Sequence, residues 1–387
     1  MSAPARMELR VCAADHERRQ WSTGDLPRVR VDGGTQAAPW QIVEAVREQL
    51  GIDVALLRVA GSDTVEVELL EPGPDKSDTP HAFTPHAPSW QRPGWYARAM
   101  TLVDWQLGSL GFNRSGRPMQ MRHWDVSAVL RIATDAYPVW FKAVPAVFAH
   151  EGAVMHWVSQ VAPQHVPSVL AFGEAWLLTK EMPAEQPEPA EPVLQAMARI
   201  QMASIGRTDE LLALGCPYRG LGTVPDAIAE LSTRTDLLSM AEILSLSSRH
   251  SDLKAVVDSV ADLGVPDTLV HGDIQSENAR WTGETWLIID WTDACVAHPF
   301  VELSRPLMDA NARARVLAKE CFAGAWSDVL SEPAIKGALR AAPVIGAAHQ
   351  LETYRLMVDS IGAHPELVRL LHLWVSRLVD ALKSVYL

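Results

Sequence analysis

The sequence lacks most of the features that would place it outside the ordinary globular classes. Four cysteines in 387 residues, Cys12, Cys216, Cys295 and Cys321, lie far apart with no CxxC pair. That spacing argues against a zinc site and a disulfide framework and predicts reduced, buried thiols. No stretch reaches the roughly 20 unbroken apolar residues of a membrane helix, so no membrane partner is expected. Basic residues are the minority, 34 against 47 acids for a formal charge of −13. Nucleic-acid backbones are held by basic stripes, so no nucleic-acid partner is expected either. The opening residues MSAPARMELRVCAADHERRQW carry charge where an export signal needs an apolar run, and the expectation is a cytoplasmic protein.

What is present is ordinary in amount, 48% hydrophobic and 21% charged residues, which fits a globular and neither a disordered nor a fibrous chain. The length predicts two or three folding units at roughly 150 residues each. No repeat of fixed period is apparent. From Glu71 to Pro93 prolines and short polar residues interrupt any periodicity, and a Pro-rich linker is placed at 72–95. Before it, over residues 1–71, WQIVEAVREQLGI has Ile42, Val43, Val46 and Leu50 at helical spacing with Gly51 as stop. The strand-like ALLRVA and TVEVELL follow, which together predict a small α+β module. AVREQLGI resembles a helix of Nudix hydrolases but lacks that motif's paired metal-binding glutamates, so a binding or interface module without catalysis of its own is expected.

After the linker WYARAMTLVDWQLGSLGF reads as a helix, and PMQMRHW, SAVLRIAT and YPVWFKAV read as three strands. HEGAVMHWVSQVA is helical, and AFGEAWLLTKEMP is a strand pair or a strand running into a connector. PAEQPEPAEP reads as a solvated loop. From about Val193 the pattern is helical almost throughout, with amphipathic stretches at 193–204, 226–247, 251–263 and from 309 to the end. A strand-rich island, TLVHGDIQSENARWTGETWLIIDW, interrupts it. The expected order is a β-rich lobe with a hinge over 96–183 and a helical lobe over 184–387.

The island carries the chemistry. Asn278 follows Asp273 by five residues and Asp290 follows it by seventeen. Phosphoryl transfer asks a protein to orient an acceptor hydroxyl, to hold magnesium on phosphates and to neutralise charge. A short loop can present an Asp to the hydroxyl and an Asn to the metal, and a hairpin can return a second carboxylate to that metal. The HGD tripeptide alone is a tight glycine turn with solvated acids; Asn278, the apolar strand WLIID and its terminal acid favour the chemical reading.

HGDIQSEN resembles the HGDxxxxN motif of the aminoglycoside phosphotransferase and choline kinase family, and IIDW resembles that family's counterpart of the protein-kinase DFG. The resemblance extends over about residues 96–387. It implies an α+β, two-lobed protein-kinase-like fold preceded by the small module. It also implies ATP and Mg2+ as cofactors, Asp273 as catalytic base or hydroxyl-orienting residue, and Asn278 and Asp290 as magnesium ligands. Trp291 and Thr292 stand where a protein kinase has Phe and Gly. Glu302 stands where the family commonly has an aspartate, and its longer side chain can still brace the loop. His271 is expected to pack beneath the loop and bond backbone.

On the nucleotide side Lys142 lies in the strand VWFKAVP among apolar neighbours, and a lysine so placed needs a partner. Phosphate oxygens and Glu151 can supply it, as in the kinase pairing of a strand lysine with a helix glutamate. No GxGxxG precedes Lys142; backbone amides around Trp124 to Ser127 either cradle phosphate or form a plain turn. WLLTKEMP is expected as a hinge, with the backbone of Glu181 and Met182 facing adenine and Leu177, Leu178 and Met182 as apolar walls; a strand entering the core is the alternative.

The function these residues predict is transfer of the ATP γ-phosphate to a hydroxyl of a small molecule. Asp293, Glu302 and Asp309 are taken as lining for the acceptor, and with the acidic net charge they point to an amino sugar, an aminoglycoside or another cationic alcohol. A decayed kinase serving as a nucleotide-binding regulatory module is the rival, disfavoured by the intact set of five residues. A protein-directed kinase is disfavoured by the missing glycine loop.

Overall fold

The computed structural model describes residues 6–14, 19–21, 28–60, 62–70, 76–80, 88–183, 191–308 and 311–384. The elements run β1 (Arg6–Ala14), β2 (Arg19–Trp21), β3 (Arg28–Asp32), α1 (Pro39–Leu50), β4 (Val54–Ala60), β5 (Thr64–Leu69), β6 (Lys76–Pro80), α2 (Trp95–Ser109), β7 (Met119–His123), β8 (Ala128–Ile132), β9 (Val139–Ala143), α3 (Glu151–Val161), β10 (Val169–Gly173) and β11 (Trp176–Lys180). They continue with α4 (Glu191–Ser204), α5 (Thr208–Ala213), α6 (Val224–Leu231), α7 (Met240–Ser248), α8 (His250–Ala261), β12 (Thr268–Val270), β13 (Ala279–Trp281), β14 (Trp286–Ile288), β15 (Cys295–Ala297), α9 (Ala312–Trp326), α10 (Glu332–Ile361) and α11 (Pro365–Ser384). The chain divides into two compact units, Met1–Pro145 with Trp176–Glu181, and Ala146–Ala175 with Met182–Leu387.

The first unit holds two sheets. In one, the strands run β4-β5-β1-β2-β6 with β3 also on β1; β1 and β5 are parallel and the other pairs antiparallel. α1 starts at Pro39, whose missing N–H costs nothing in a first turn, and stops at Gly51 with φ 70°. Its Ile42, Ala45 and Val46 bury against Leu9, Val11, Val29, Val31, Leu56, Val65 and Val67. Alternation in β5 turns Val65, Val67 and Leu69 one way, and Glu66, on the other face, takes a two-pronged bond from Arg58 at 2.8 Å for each prong. The stretch that reads as a linker is partly built: β6 pairs with β2, and Ser89–Gln91 form a 3-10 turn with Trp90 buried. Trp90 is apolar ballast inside a proline-rich run, and its indole N–H donates to the Trp124 carbonyl at 2.6 Å.

In the second sheet of this unit β11, β9, β8 and β7 are neighbours in that order, antiparallel throughout. Gln120 on β7 joins the two sheets. Its side-chain oxygen accepts from Leu56 N–H at 2.7 Å and its amide nitrogen donates to Leu56 C=O at 3.0 Å, completing the edge of β4 as another strand would.

The second unit is mainly helical, with the antiparallel pairs β12–β15 and β13–β14. The amphipathic stretch expected at 226–247 is two helices, because Ser239 begins a new one: its backbone N–H donates to Glu242 at 2.9 Å while its hydroxyl caps the Glu242 amide. The stretch from 309 onward is three helices, separated where Ser331 caps α10 and where Gly362 takes φ 96°. α5 and β15 have no counterpart in the sequence reading, being only six and three residues long.

Replacing Gln120 by Leu is expected to lower unfolding free energy by about 2 kcal/mol, since two buried backbone groups of Leu56 lose their only shape-matched partner. Urea unfolding of the variant against the parent chain reads this directly.

Candidate active site

The strand pair β12–β15 delivers the chain to a loop whose amides cannot enter a ladder. They find side chains instead. His271 N–H donates to Glu302 Oε2 at 2.9 Å and Gly272 N–H to Glu302 Oε1 at 3.1 Å. The Gly272 carbonyl accepts from Gln350 Nε2. Gly272 takes φ +82°, and a Cβ there would stand 2.9 Å from the Asp293 carbonyl oxygen and 3.0 Å from His349 Nε2, so only glycine fits. His271 is fully buried. Its Nδ1 accepts from Asp273 N–H at 3.3 Å and its Nε2 faces the Ile289 carbonyl at 3.0 Å, an arrangement that requires the Nε2–H tautomer. This is the backbone-bonding role that its position under the loop suggests.

Asp273 projects from this turn with both carboxylate oxygens engaged. Oδ1 accepts from Arg305 Nε at 2.5 Å; Oδ2 accepts from Gln275 Nε2 and Asn278 Nδ2, each at 3.0 Å. Asn278 Nδ2 also donates to the Asp273 carbonyl at 2.9 Å, which commits the amide nitrogen to the loop and leaves the amide oxygen as the atom that could meet a cation. Asn278 is tied to the second carboxylate strand as well, because Ile289 N–H donates to the Asn278 carbonyl at 2.9 Å. Asp290, the next residue, therefore stands beside Asn278 at the end of the β13–β14 hairpin. It adopts φ 66° and ψ 62°, a left-handed conformation that a non-glycine residue holds only when its surroundings enforce it. Those surroundings are Trp291, fully buried, with its backbone N–H on Glu151 Oε1 at 3.0 Å and its indole N–H on the Ile288 carbonyl at 3.1 Å. The indole also meets the His271 ring edge-on at 4.8 Å. Thr292 donates its hydroxyl to Asp290 Oδ1 at 3.0 Å.

Two side-chain oxygens of this kind suit magnesium. That ion takes one or two carboxylates from a protein and fills its remaining positions with phosphate and water.

The acids expected to line an acceptor pocket behave differently. Glu302 has no exposed surface and braces the loop. Burial pushes its carboxyl up to about 8 against the pull of the His271 and Gly272 amides. Asp293 is also buried, and burial, then the charges of Asp273 and Asp290, push it up to about 7 while Arg219 and Arg305 pull it down. Its Oδ1 and the Nε2 of His349 make no hydrogen bond among the described residues. Both acids expected as acceptor lining are thus buried side chains. Asp309 lies outside the described residues.

In the first unit, Lys142 sits in the middle of β9 with Val129 and Leu177 directly across on β8 and β11, half-buried on their shared face. Glu151 belongs to the second unit, as the first residue of α3. Trp124 and Ser127 satisfy each other: the Trp124 amide donates to the Ser127 carbonyl at 3.1 Å and its indole to the Ser127 hydroxyl at 2.8 Å. The plain turn left open for these residues accounts for both groups. The Glu181 N–H donates to the Pro138 carbonyl at 3.0 Å, and its carboxylate pairs with Arg131 at 2.5 Å. Met182 is half-buried and Leu177 and Leu178 are buried. Arg305, Gln350, Tyr354 and Trp374 were not foreseen beside the loop, since only the fold brings them there, and Gln275, which lies in the loop and bonds Asp273 directly, was not foreseen either.

Gly272→Ala is expected to abolish turnover while the chain still folds, because strain and a clash fall on the turn that carries Asp273; a steady-state assay beside a thermal melt distinguishes the two. The raised carboxyls give a second expectation. A group whose folded pKa lies above its unfolded value contributes stability that is full below about pH 4 and lost as pH rises toward about 8. Glu302→Gln should therefore be less stable than the parent but lose less stability between pH 5 and 8, the difference being on the order of a few kcal/mol. Urea titrations across that pH range measure it.

The sequence pattern of the phosphotransferase enzyme family matches residues 120–330. No curated protein is similar enough in sequence to match. Among solved structures, an ethanolamine kinase from Plasmodium vivax is 10% identical with TM-score 0.51, covering 70% of this chain and 83% of its own. A putative fructosamine-3-kinase from Thermobifida fusca is 16% identical with TM-score 0.50, covering 73% of this chain and 98% of its own. At such identity these likenesses speak for a shared kinase-like α+β fold. The family pattern says more, because it takes in Lys142, the loop from His271 to Asn278 and Asp290 over more than half of the sequence, and the chain accordingly belongs to the phosphotransferase enzyme family.

Proposed function

We propose that this phosphotransferase moves the γ-phosphate of ATP to a hydroxyl of a small molecule, with Asp273 receiving the hydroxyl proton. The observation that carries the reading is the locked arrangement at Asp273. Arg305, Gln275 and Asn278 hold three of its acceptor directions, and a carboxylate with two oxygens has room for one more donor. As the hydroxyl oxygen bonds to the γ-phosphorus, the bond to the β-phosphate oxygen breaks, the proton passes to Asp273, and ADP leaves. Asn278 and Asp290 would hold a magnesium ion, which when bound supplies positive charge to the phosphates. Lys142, presented from an apolar strand face, is the residue we assign to the nucleotide phosphates, and Leu177, Leu178 and Met182 to its base. For the acceptor, the net charge of −13 supports an amino-substituted alcohol; Asp293 and Glu302, being buried, add nothing to that support.

ADP release from Mg-ATP, screened over sugars, amino sugars, aminoglycosides and simple amino alcohols, tests the activity. Asp273→Asn should lower turnover by about 10²- to 10⁴-fold, the usual contribution of a positioned base, with ATP affinity little changed. Asp290→Ala and Lys142→Ala should weaken ATP binding as well as rate, read as a smaller thermal shift with ATP in the presence of magnesium. A parent chain that shows no ATP shift at all would instead support a decayed kinase.

A further inference from the structure

We infer that Arg305 is the positioning residue for the catalytic carboxylate, a role that rests on the reading of Asp273 given above. The bonds from Gln275 and Asn278 come from the same loop, two and five residues on. They travel with Asp273 if the loop moves and cannot set its place in the unit. Arg305 is the contact to the carboxylate itself that comes from outside the loop. It stands just after the 3-10 segment Pro299–Leu303 that carries Glu302, and its guanidinium is held in three directions. Nε donates to Asp273 Oδ1 at 2.5 Å. Nη2 donates to the Tyr354 hydroxyl of α10 at 2.9 Å. Its central carbon lies over the Trp374 ring of α11, 5.5 Å from the ring centre.

Each anchor is itself fixed. Tyr354 and Trp374 are buried, and the Arg305 and Asp273 side chains keep only 17% and 18% of their surface. A planar fork with donors on separate edges is what this geometry needs: one edge on the carboxylate, one on the phenol, with the charge over the indole. The two long C-terminal helices thereby reach the reacting carboxylate through a single side chain. A lysine would keep the charge but could not grip both Asp273 and Tyr354 in one plane.

The test follows the separation of positioning from binding. Arg305→Gln should lose about 10²-fold in kcat, the scale of a misplacement near 1 Å, with ATP affinity by calorimetry within twofold of the parent. Arg305→Lys should recover part of the rate, and millimolar guanidinium should restore part of it to Arg305→Ala. Tyr354→Phe, which releases the far edge of the fork and leaves the charge in place, should lose a few-fold in kcat and nothing in ATP affinity. ADP release is followed with the sugar, amino sugar and amino alcohol panel and with water as acceptor. An unchanged rate in Arg305→Gln, or a loss that neither lysine nor guanidinium repairs, would overturn the inference. If the parent chain turns over ATP in no arm, the proposed function fails instead. The pairing is then read from a double-substitution cycle of Arg305→Gln with Asp273→Asn in urea unfolding, where additive losses would overturn it and non-additive losses support it.

Discussion

A glycine turn that leaves a strand and enters no other must find partners for its amides, and in this protein one buried carboxylate supplies them. Glu302 takes the His271 and Gly272 N–H groups on its two oxygens, and Gln350 returns a donor to the Gly272 carbonyl. Gln201 on α4 reaches Glu302 and the Pro299 carbonyl from the other side, at 3.4 and 3.1 Å. The loop is thus suspended between α4, α10 and the segment after β15. An unpaired buried amide costs about 1–3 kcal/mol, so a shift of the turn is opposed by several such penalties at once. Asp273 inherits its position from this suspension, and Arg305 then fixes its direction.

The second carboxylate depends on the first through a single residue. Ile289 donates its N–H to the Asn278 carbonyl and accepts from His271 Nε2–H on its own carbonyl, so the end of β14 is registered against both ends of the loop. Asp290 follows in a left-handed conformation whose strain is on the order of 1–3 kcal/mol. Burial of Trp291 and the bond from its amide to Glu151 hold it there. The acid at the start of α3 consequently does structural work on the peptide that follows Asp290. That role is independent of any contact the sequence reading gave it with a lysine.

The sequence made the arrangement of the loop legible where spacing within one short segment decides it. Asp273, Asn278 and Asp290 could be read because a loop and a hairpin bring five- and seventeen-residue separations together whatever the rest of the chain does. The strand of Lys142 and the helix of Glu151 were legible from period alone. Hidden from the sequence were contacts across long separations: Gln120 completing the edge of a strand 64 residues earlier, Arg305 reaching Asp273 from 32 residues on, and Tyr354 reaching Arg305 from 49. Polar residues in apolar runs are the one signal such contacts leave, as at Gln350 in the buried face of α10, and that signal names a need for a partner without naming the partner. Proline content misled in the other direction. Around Trp90 a run that looks like linker holds a buried indole, since composition registers the prolines and not the single large side chain among them.

Charge is the property for which whole-chain reading and site reading part most clearly. The chain carries an excess of acids, yet three carboxylates at the loop, Asp273, Glu302 and Asp293, contribute little free negative charge. Asp273 is matched by Arg305 at hydrogen-bond distance. Glu302 and Asp293 are buried and displaced toward their protonated forms near neutral pH. Burial depresses His349 and His150, and the buried Arg219 adds to that while opposing the rise of Asp293. Fields from exposed acids elsewhere are screened within roughly 8–10 Å at physiological salt, whereas a guanidinium one hydrogen bond from the reacting carboxylate is not. Asp273 with Arg305 is therefore a balanced pair, and any bias toward a cationic acceptor has to come from acids outside that pair. On the proposed reading, selection at the hydroxyl comes from the direction in which Arg305 holds Asp273.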